Sequence, residues 1–219
     1  MNINPNAVKV LCYGDSNTWG YIPGLEARYP VNLRWTGILQ QMLGANFWII
    51  EEGLNGRTTN VEDPDSPGKN GLAYLTPCLK THNPFDLIIL MLGTNDTKYK
   101  FQRSPDDIAF GIASMIDEIK EIGWDRDGNM PRIILLSPPL VNDKVEKALE
   151  EFKDAGDRSK HFFQSYKPIA EKYSISLFDV ASWISPSNED GVHLEPEDHR
   201  IIAEELFPIV TSMMDAENA

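Results

Sequence analysis

The chain has 219 residues, of which 42% are hydrophobic and 24% charged, and it carries a net charge of −13. That length is enough to bury a full core, and it reads as a single domain over 1–219. The acidic balance argues against nucleic acid or an anionic membrane as partner, because no basic patch stands ready to release counterions.

No apolar run approaches the roughly 20 residues that a membrane helix needs. The first segment, Met1–Ala7, is polar and lacks the charged-then-apolar pattern of a signal peptide. Two cysteines, Cys12 and Cys78, are too few for a disulfide framework, and the expected location is the cytoplasm.

In chain order, Val8–Tyr13 is an apolar run that ends in Gly14-Asp15 and reads as a short buried strand with its turn. Ser16 then stands at the carboxyl end of that strand, where chemistry collects in open α/β sheets. A serine there is either a helix N-cap or a nucleophile, and the nucleophile needs a base and an orienting acid elsewhere. Leu33–Leu43 carries a one-sided apolar stripe and predicts a helix. Phe47–Glu51 is the second strand, followed by the Gly-, Asn-, Asp- and Pro-rich stretch 53–70, too long for a plain connector. Leu87–Leu92 is the third strand. Ser104-Pro105-Asp106-Asp107 opens a helix that continues through Ile108–Ile122. Ile133–Ser137 and Ile175–Phe178 complete the strands. The charged stretch 141–161, with a helical piece near Val145–Phe152, reads as an excursion from the sheet, a lid or a subunit contact. Tyr166–Tyr173 and Pro196–Met214 predict two further helices, and Asp215–Ala219 a frayed tail.

The strand runs are continuous rather than alternating, as in parallel sheets buried on both faces. Strand and helix alternate, so the expected fold is a three-layer α/β/α sandwich around a five-stranded parallel sheet, of the flavodoxin-like kind.

Four segments then stand out at element boundaries: Gly14-Asp15-Ser16, Gly53–Thr59, Leu92–Asp96 and Asp190-Gly191-Val192-His193. In a parallel sheet the first three share one edge, and the fourth, in the loop before the last helix, can reach it. His193 can take the Ser16 proton, and Asp190 can hold the other imidazole nitrogen. The Ser16 and Gly56 N–H groups and the Asn95 side-chain amide are candidate donors to a tetrahedral oxyanion. Taken alone, Gly56 is equally a turn residue, and Asn95-Asp96 an Asx turn or cap. Trp19, Tyr21 and Ile22 follow the serine closely and could wall an apolar substrate site or simply pack the core.

These blocks resemble those of the SGNH (GDSL-type) hydrolase family, with Gly14-Asp15-Ser16-Asn17, Gly56, Gly93-Thr94-Asn95-Asp96, and Asp190 with His193. Asn17 replaces the leucine of the family's short name. The resemblance implies Ser16 as nucleophile, Gly56 and Asn95 as oxyanion donors, His193 as base and Asp190 as its partner. The stretches 14–20, 34–37, 51–60 and 91–98, the last ending in Lys98, are similar to the bacterial aryl esterase/acyltransferase branch; the likeness thins over 141–161. It implies short acyl esters as substrates, no metal or organic cofactor, Lys98 as a substrate-side residue, acyl transfer to alcohols or peroxide in some members, and homo-oligomers, octamers in some. A carbohydrate acetyl esterase of the same family is the alternative. From other classes, a flavodoxin-like binding module lacks its phosphate-cradling glycines here, and a metal hydrolase built on Asp15, Asp96, Asp190 and His193 lacks metal-ligand spacing.

Overall fold

In a computed structural model, which describes residues 2–215, the five apolar runs are strands β1 (Val8–Gly14), β2 (Phe47–Gly53), β3 (Leu87–Met91), β4 (Arg132–Ser137) and β5 (Ser176–Asp179). All pair in parallel in the order β2-β1-β3-β4-β5, the flavodoxin-like order. The expected three-layer α/β/α fold is the observed one. Among the described residues seven α-helices flank the sheet, six between strands and one after β5: α1 (Ser16–Trp19), α2 (Trp35–Leu43), α3 (Gly71–His82), α4 (Pro105–Ile122), α5 (Ala155–Ser159), α6 (Phe162–Tyr173) and α7 (Pro196–Asp215).

Each face of the sheet has its own core. On one side Leu11, Tyr13, Ile88 and Leu90 pack against Leu75 and Leu79 of α3, Ile112 and Ile116 of α4, and Tyr166 of α6. On the other, Val10, Cys12, Ile89 and Ile134 meet Trp35 and Leu39 of α2 and Ile202 and Leu206 of α7. Burial on both faces is why β1 and β3 read as unbroken apolar runs. The start of α4 keeps its sequence signature: the Ser104 hydroxyl accepts from Asp107 N–H at 3.1 Å, and Asp107 accepts from Ser104 N–H at 2.9 Å.

Three expectations change. Helix α3 is longer than anything the sequence signalled between 53 and 85. Val145–Phe152 is not helical: it holds a single 3-10 turn, Glu146–Ala148, and the α-helical turn comes later at α5. The chain here folds over a small core of Val141, Ala148, Phe152, Ala155 and Val192, and the Glu151 carbonyl accepts from Tyr99 N–H at 2.8 Å instead of serving a helix. Ile175 precedes β5 instead of opening it. The expected tail beyond Asp215 lies outside the described residues.

Register places the site. Gly14 pairs with Gly53 on one side and with Met91 on the other. The carboxyl ends of β2, β1 and β3 therefore lie side by side, at the point where strand order reverses.

Candidate active site

Ser16 begins α1, but it is not the cap. Asp15 is: its Oδ1 accepts from Asn17 N–H at 3.0 Å. The Ser16 hydroxyl is thereby free to face the last loop, and it lies 2.9 Å from His193 Nε2. His193 Nδ1 is 2.8 Å from Asp190 Oδ2. Elements at opposite ends of the chain thus place Ser16, His193 and Asp190 in one hydrogen-bonded line.

Asp190 is held on all sides. Oδ1 accepts from Val192 N–H at 3.0 Å and His193 N–H at 2.9 Å, and Oδ2 also accepts from Gly24 N–H at 2.9 Å. Burial works against its charge, but the bonds from the His193 ring and from the His193 and Val192 backbone outweigh it and hold the carboxyl well below the usual carboxylate range. An Asp so fixed as an anion orients the imidazole and balances the positive charge that the ring acquires on taking a proton. The other ring face is covered by Tyr21, stacked with centroids 4.2 Å apart.

The glycine block forms a tight turn. Arg57 N–H donates to Leu54 O at 3.0 Å, and Gly56, third in the turn, sits at φ +77, a region that suits glycine. Leu54 N–H and the Arg57 guanidinium both donate to Gly14 O, at 3.2 and 2.9 Å, which draws this turn to the end of β1. The Arg57 carbonyl accepts from Asn95 Nδ2 at 3.1 Å. Asn95 is therefore not a capping side chain, because its amide bridges two strand ends. Its remaining contact is a long one, 3.4 Å to Asp15 Oδ2.

The Asn95 loop is itself anchored. Gly93 has φ +135, and a Cβ there would collide with the Tyr166 hydroxyl, which donates to Leu92 O at 2.9 Å. Asp96 is fully buried and accepts from Thr59 N–H and Oγ1, at 2.9 and 2.6 Å, and from Arg103 at 2.6 Å. Burial pushes both Asp15 and Asp96 up to about 6 despite these bonds.

The structure thus gathers Ser16, Gly56, Asn95, Asp190, His193 and Tyr21 at one edge. Trp19 and Ile22 flank Tyr21 on the same segment, Trp19 packing against it with ring centroids 6.3 Å apart. Lys98 turns elsewhere: its Nζ pairs with Glu151 at 2.6 Å and lies 5.6 Å from the centre of the Phe152 ring. Its contacts are with the 141–161 excursion. That excursion also grips the Asp190–His193 loop, since Asn142 N–H donates to Gly191 O at 2.7 Å. Sequence reasoning missed Gly24 as a partner of Asp190. It also missed Asn17, whose amide donates to Val192 O at 3.3 Å and ties the serine turn to the histidine loop. Cys12 is fully buried in β1, and burial raises its thiol well above the ordinary value, so it is no rival nucleophile.

Residues 12–201 match the model of the GDSL-like lipase/acylhydrolase family. The native aryl esterase of M. smegmatis superposes with a TM-score of 0.88 at 38% identity, covering 94% of this chain and 99% of that one. A carbohydrate acetylesterase from Sinorhizobium meliloti gives 0.86 at 35% identity, covering 94% and 99%. An acetylxylan esterase of Xylanibacter ruminicola is 22% identical over 222 residues, covering 91% of this chain; the chain spans 42% of that relative's length. The chain belongs to the GDSL-like lipase/acylhydrolase family, the SGNH serine esterases.

Proposed function

We propose that Ser16 is the nucleophile of an esterase acting on short-chain aryl or alkyl esters. The observation that carries this reading is the line Ser16 Oγ, His193 Nε2, His193 Nδ1, Asp190 Oδ2, with links of 2.9 and 2.8 Å. Ser16 Oγ adds to the ester carbonyl as its proton passes to His193 Nε2. The carbonyl π-electrons move to oxygen, and the Ser16 N–H, Gly56 N–H and Asn95 amide receive the oxyanion. Collapse expels the alcohol or phenol, protonated by His193, and leaves an acyl-Ser16 ester. His193 then takes a proton from a water molecule as its oxygen adds to the acyl carbonyl, and on collapse the acyl–Oγ bond breaks, the proton returns from His193 to Ser16 Oγ and the acid leaves. These steps use the ester, water, these side chains and the two backbone N–H groups.

A second reading places acetylated carbohydrate at the same site. It is supported by the carbohydrate acetylesterase and the acetylxylan esterase among the similar proteins. Both readings call for a short acyl group. Tyr21 stacked on His193, with Trp19 against it, leaves bulky rings where a long chain would have to run.

Two finer features belong to the proposal. The free thiols of Cys12 and Cys78, both buried, fit a reducing compartment and a cytoplasmic location. Leu25 and Val31, 58% and 57% exposed on the segment after Tyr21, fit self-association next to the site, which light scattering on the purified chain would measure. Among the described residues no helix is long and apolar enough to cross a membrane.

The test is a p-nitrophenyl ester series on the native chain and on Ser16→Ala. Turnover should fall by about 10⁶ in the variant with its fold unchanged by circular dichroism. An organophosphonate should label the native chain alone. Acetyl to butyryl esters should exceed octanoyl in kcat/KM. Near-normal turnover by folded Ser16→Ala would overturn the mechanism, and a steady rise to long chains would overturn the short pocket. Acetylated xylan or sugar turned over faster than aryl acetate would select the second reading.

A further inference from the structure

Apart from the serine site, a second cluster of chemically potent side chains lies between β2 and α3. Cys78 and His82 stand one helical turn apart on α3, at i and i+4, so both point from one face of that helix. Glu52, near the end of β2, faces them, with its Oε1 3.2 Å from His82 Nε2. The sulfur, the imidazole nitrogen and a carboxylate oxygen all lie within 4.8 Å of one another. We propose that Glu52, Cys78 and His82 form a binding site for a divalent cation of the zinc class.

Three different donors argue for that class of ion. A hard cation such as magnesium or calcium takes oxygen ligands, whereas a thiolate with an imidazole and one carboxylate suits zinc or cobalt. In a tetrahedral zinc site with bonds of about 2.0–2.3 Å, ligand atoms stand roughly 3.3–3.8 Å apart. The Glu52–His82 distance of 3.2 Å is close to this spacing, and the remaining pairs, within 4.8 Å, need to close by no more than about 1.5 Å. Helix spacing supplies the Cys78–His82 pair without backbone change.

The surroundings supply access and a reason. Cys78 is buried, but the His82 and Glu52 side chains are 31% and 18% exposed, so an ion enters from their side. Tyr74, on the preceding turn of α3, also bears on Glu52. Binding would convert the Cys78 thiol to a thiolate, its proton leaving to solvent, as a metal does to a coordinating thiol. The site joins β2 to α3, and the stretch between them, 53–70, carries Gly56 and Arg57. Arg57 also donates to the Glu52 carbonyl. An ion here would link the strand before that stretch to the helix after it.

Cobalt(II) is the probe. Titrated into the native chain in the absence of chelator, it should bind one ion per chain. It should show a near-ultraviolet thiolate-to-cobalt band with the visible bands of a tetrahedral site, and zinc should bleach both. Cys78→Ser should lose the thiolate band. His82→Ala, which removes a partly exposed ring, should keep the fold and bind cobalt about tenfold more weakly or worse. Zinc should raise the Tm of the native chain and not that of Cys78→Ser. Absence of a thiolate band in the native chain overturns the site, as does a band that survives in Cys78→Ser or affinity unchanged in His82→Ala.

Discussion

His193 faces Ser16, while His199 lies enclosed in the core between α2 and α7. Its Nδ1 accepts from Trp35 N–H at 3.3 Å, which puts the ring proton on Nε2, and the Tyr29 ring meets it at 5.5 Å. Burial, then the positive charge of Arg34 and of His193, lower it to about 4. The unfolded chain therefore takes up a proton here near pH 6.5, well before the folded one does. Its stabilising effect is complete above pH 6.5 and is lost as pH falls from there towards 4. Asp15 and Asp96, raised to about 6, act with the opposite sign, since their burial costs more as pH rises from about 4 to 6. A comparison of the native chain with His199→Gln removes those shared contributions. In urea unfolding, the native chain's advantage over the variant should shrink by about 2 kcal/mol between about pH 7 and about pH 5. An advantage independent of pH would mean that His199 takes up its proton in the fold at the same pH as in the unfolded chain.

At the scale of elements, the site is a set of strand-end turns that hold one another. The turn after β2 is drawn to Gly14 by Leu54 and Arg57, and the turn after β3 is tied to it through Asn95 and Asp96. The Asn95 amide spends one N–H on the Arg57 carbonyl, which fixes its direction, and has only the 3.4 Å Asp15 contact for the other. A donor held this way acts mainly when charge develops on the carbonyl oxygen. Asn95→Ala should lower kcat by about 10²–10³ with little change in KM. A pure KM effect in steady-state kinetics would instead assign Asn95 to substrate binding.

These turns also show what was legible beforehand. Val8–Tyr13 and Leu87–Leu92 could be read as strands because burial on both faces leaves no polar alternation, and the four blocks stood out because each falls at an element boundary. Helix α3 was hidden by Gly71 at its start and Pro77 within it, both weak helix signals. The 145–152 stretch kept helical spacing, yet packing of Ala148 and Phe152 onto Val192 overrode it. Gly24 on Asp190 and Asn17 on the Val192 carbonyl arise from tertiary approach, which no local pattern encodes.

On the scale of the whole molecule, the fold brings its ends together over the sheet edge. Ser16 follows the first strand and His193 precedes the last helix, so the proposed nucleophile and base come from opposite ends of the chain and meet at 2.9 Å over the packed sheet. The segment after α1 returns over this edge: Tyr21 covers His193, Gly24 reaches Asp190, and the Arg28 guanidinium lies 5.1 Å from the centre of the Trp19 ring. Rings beside the base leave few partners for water around an acylated Ser16, while an alcohol with an aromatic group finds a surface to pack on. As the proposed base, His193 would deprotonate either acceptor by the same route. Supplied with vinyl acetate and benzyl alcohol in mostly aqueous buffer, the enzyme should form benzyl acetate alongside acetate, in a ratio that rises with alcohol concentration. Chromatography of both products measures it. Ser16→Ala should form neither above background, which ties the transfer to the same acyl-enzyme. Acetate alone at every alcohol concentration would show that water reaches the acyl group freely, and that the rings around His193 shape the substrate site without drying it.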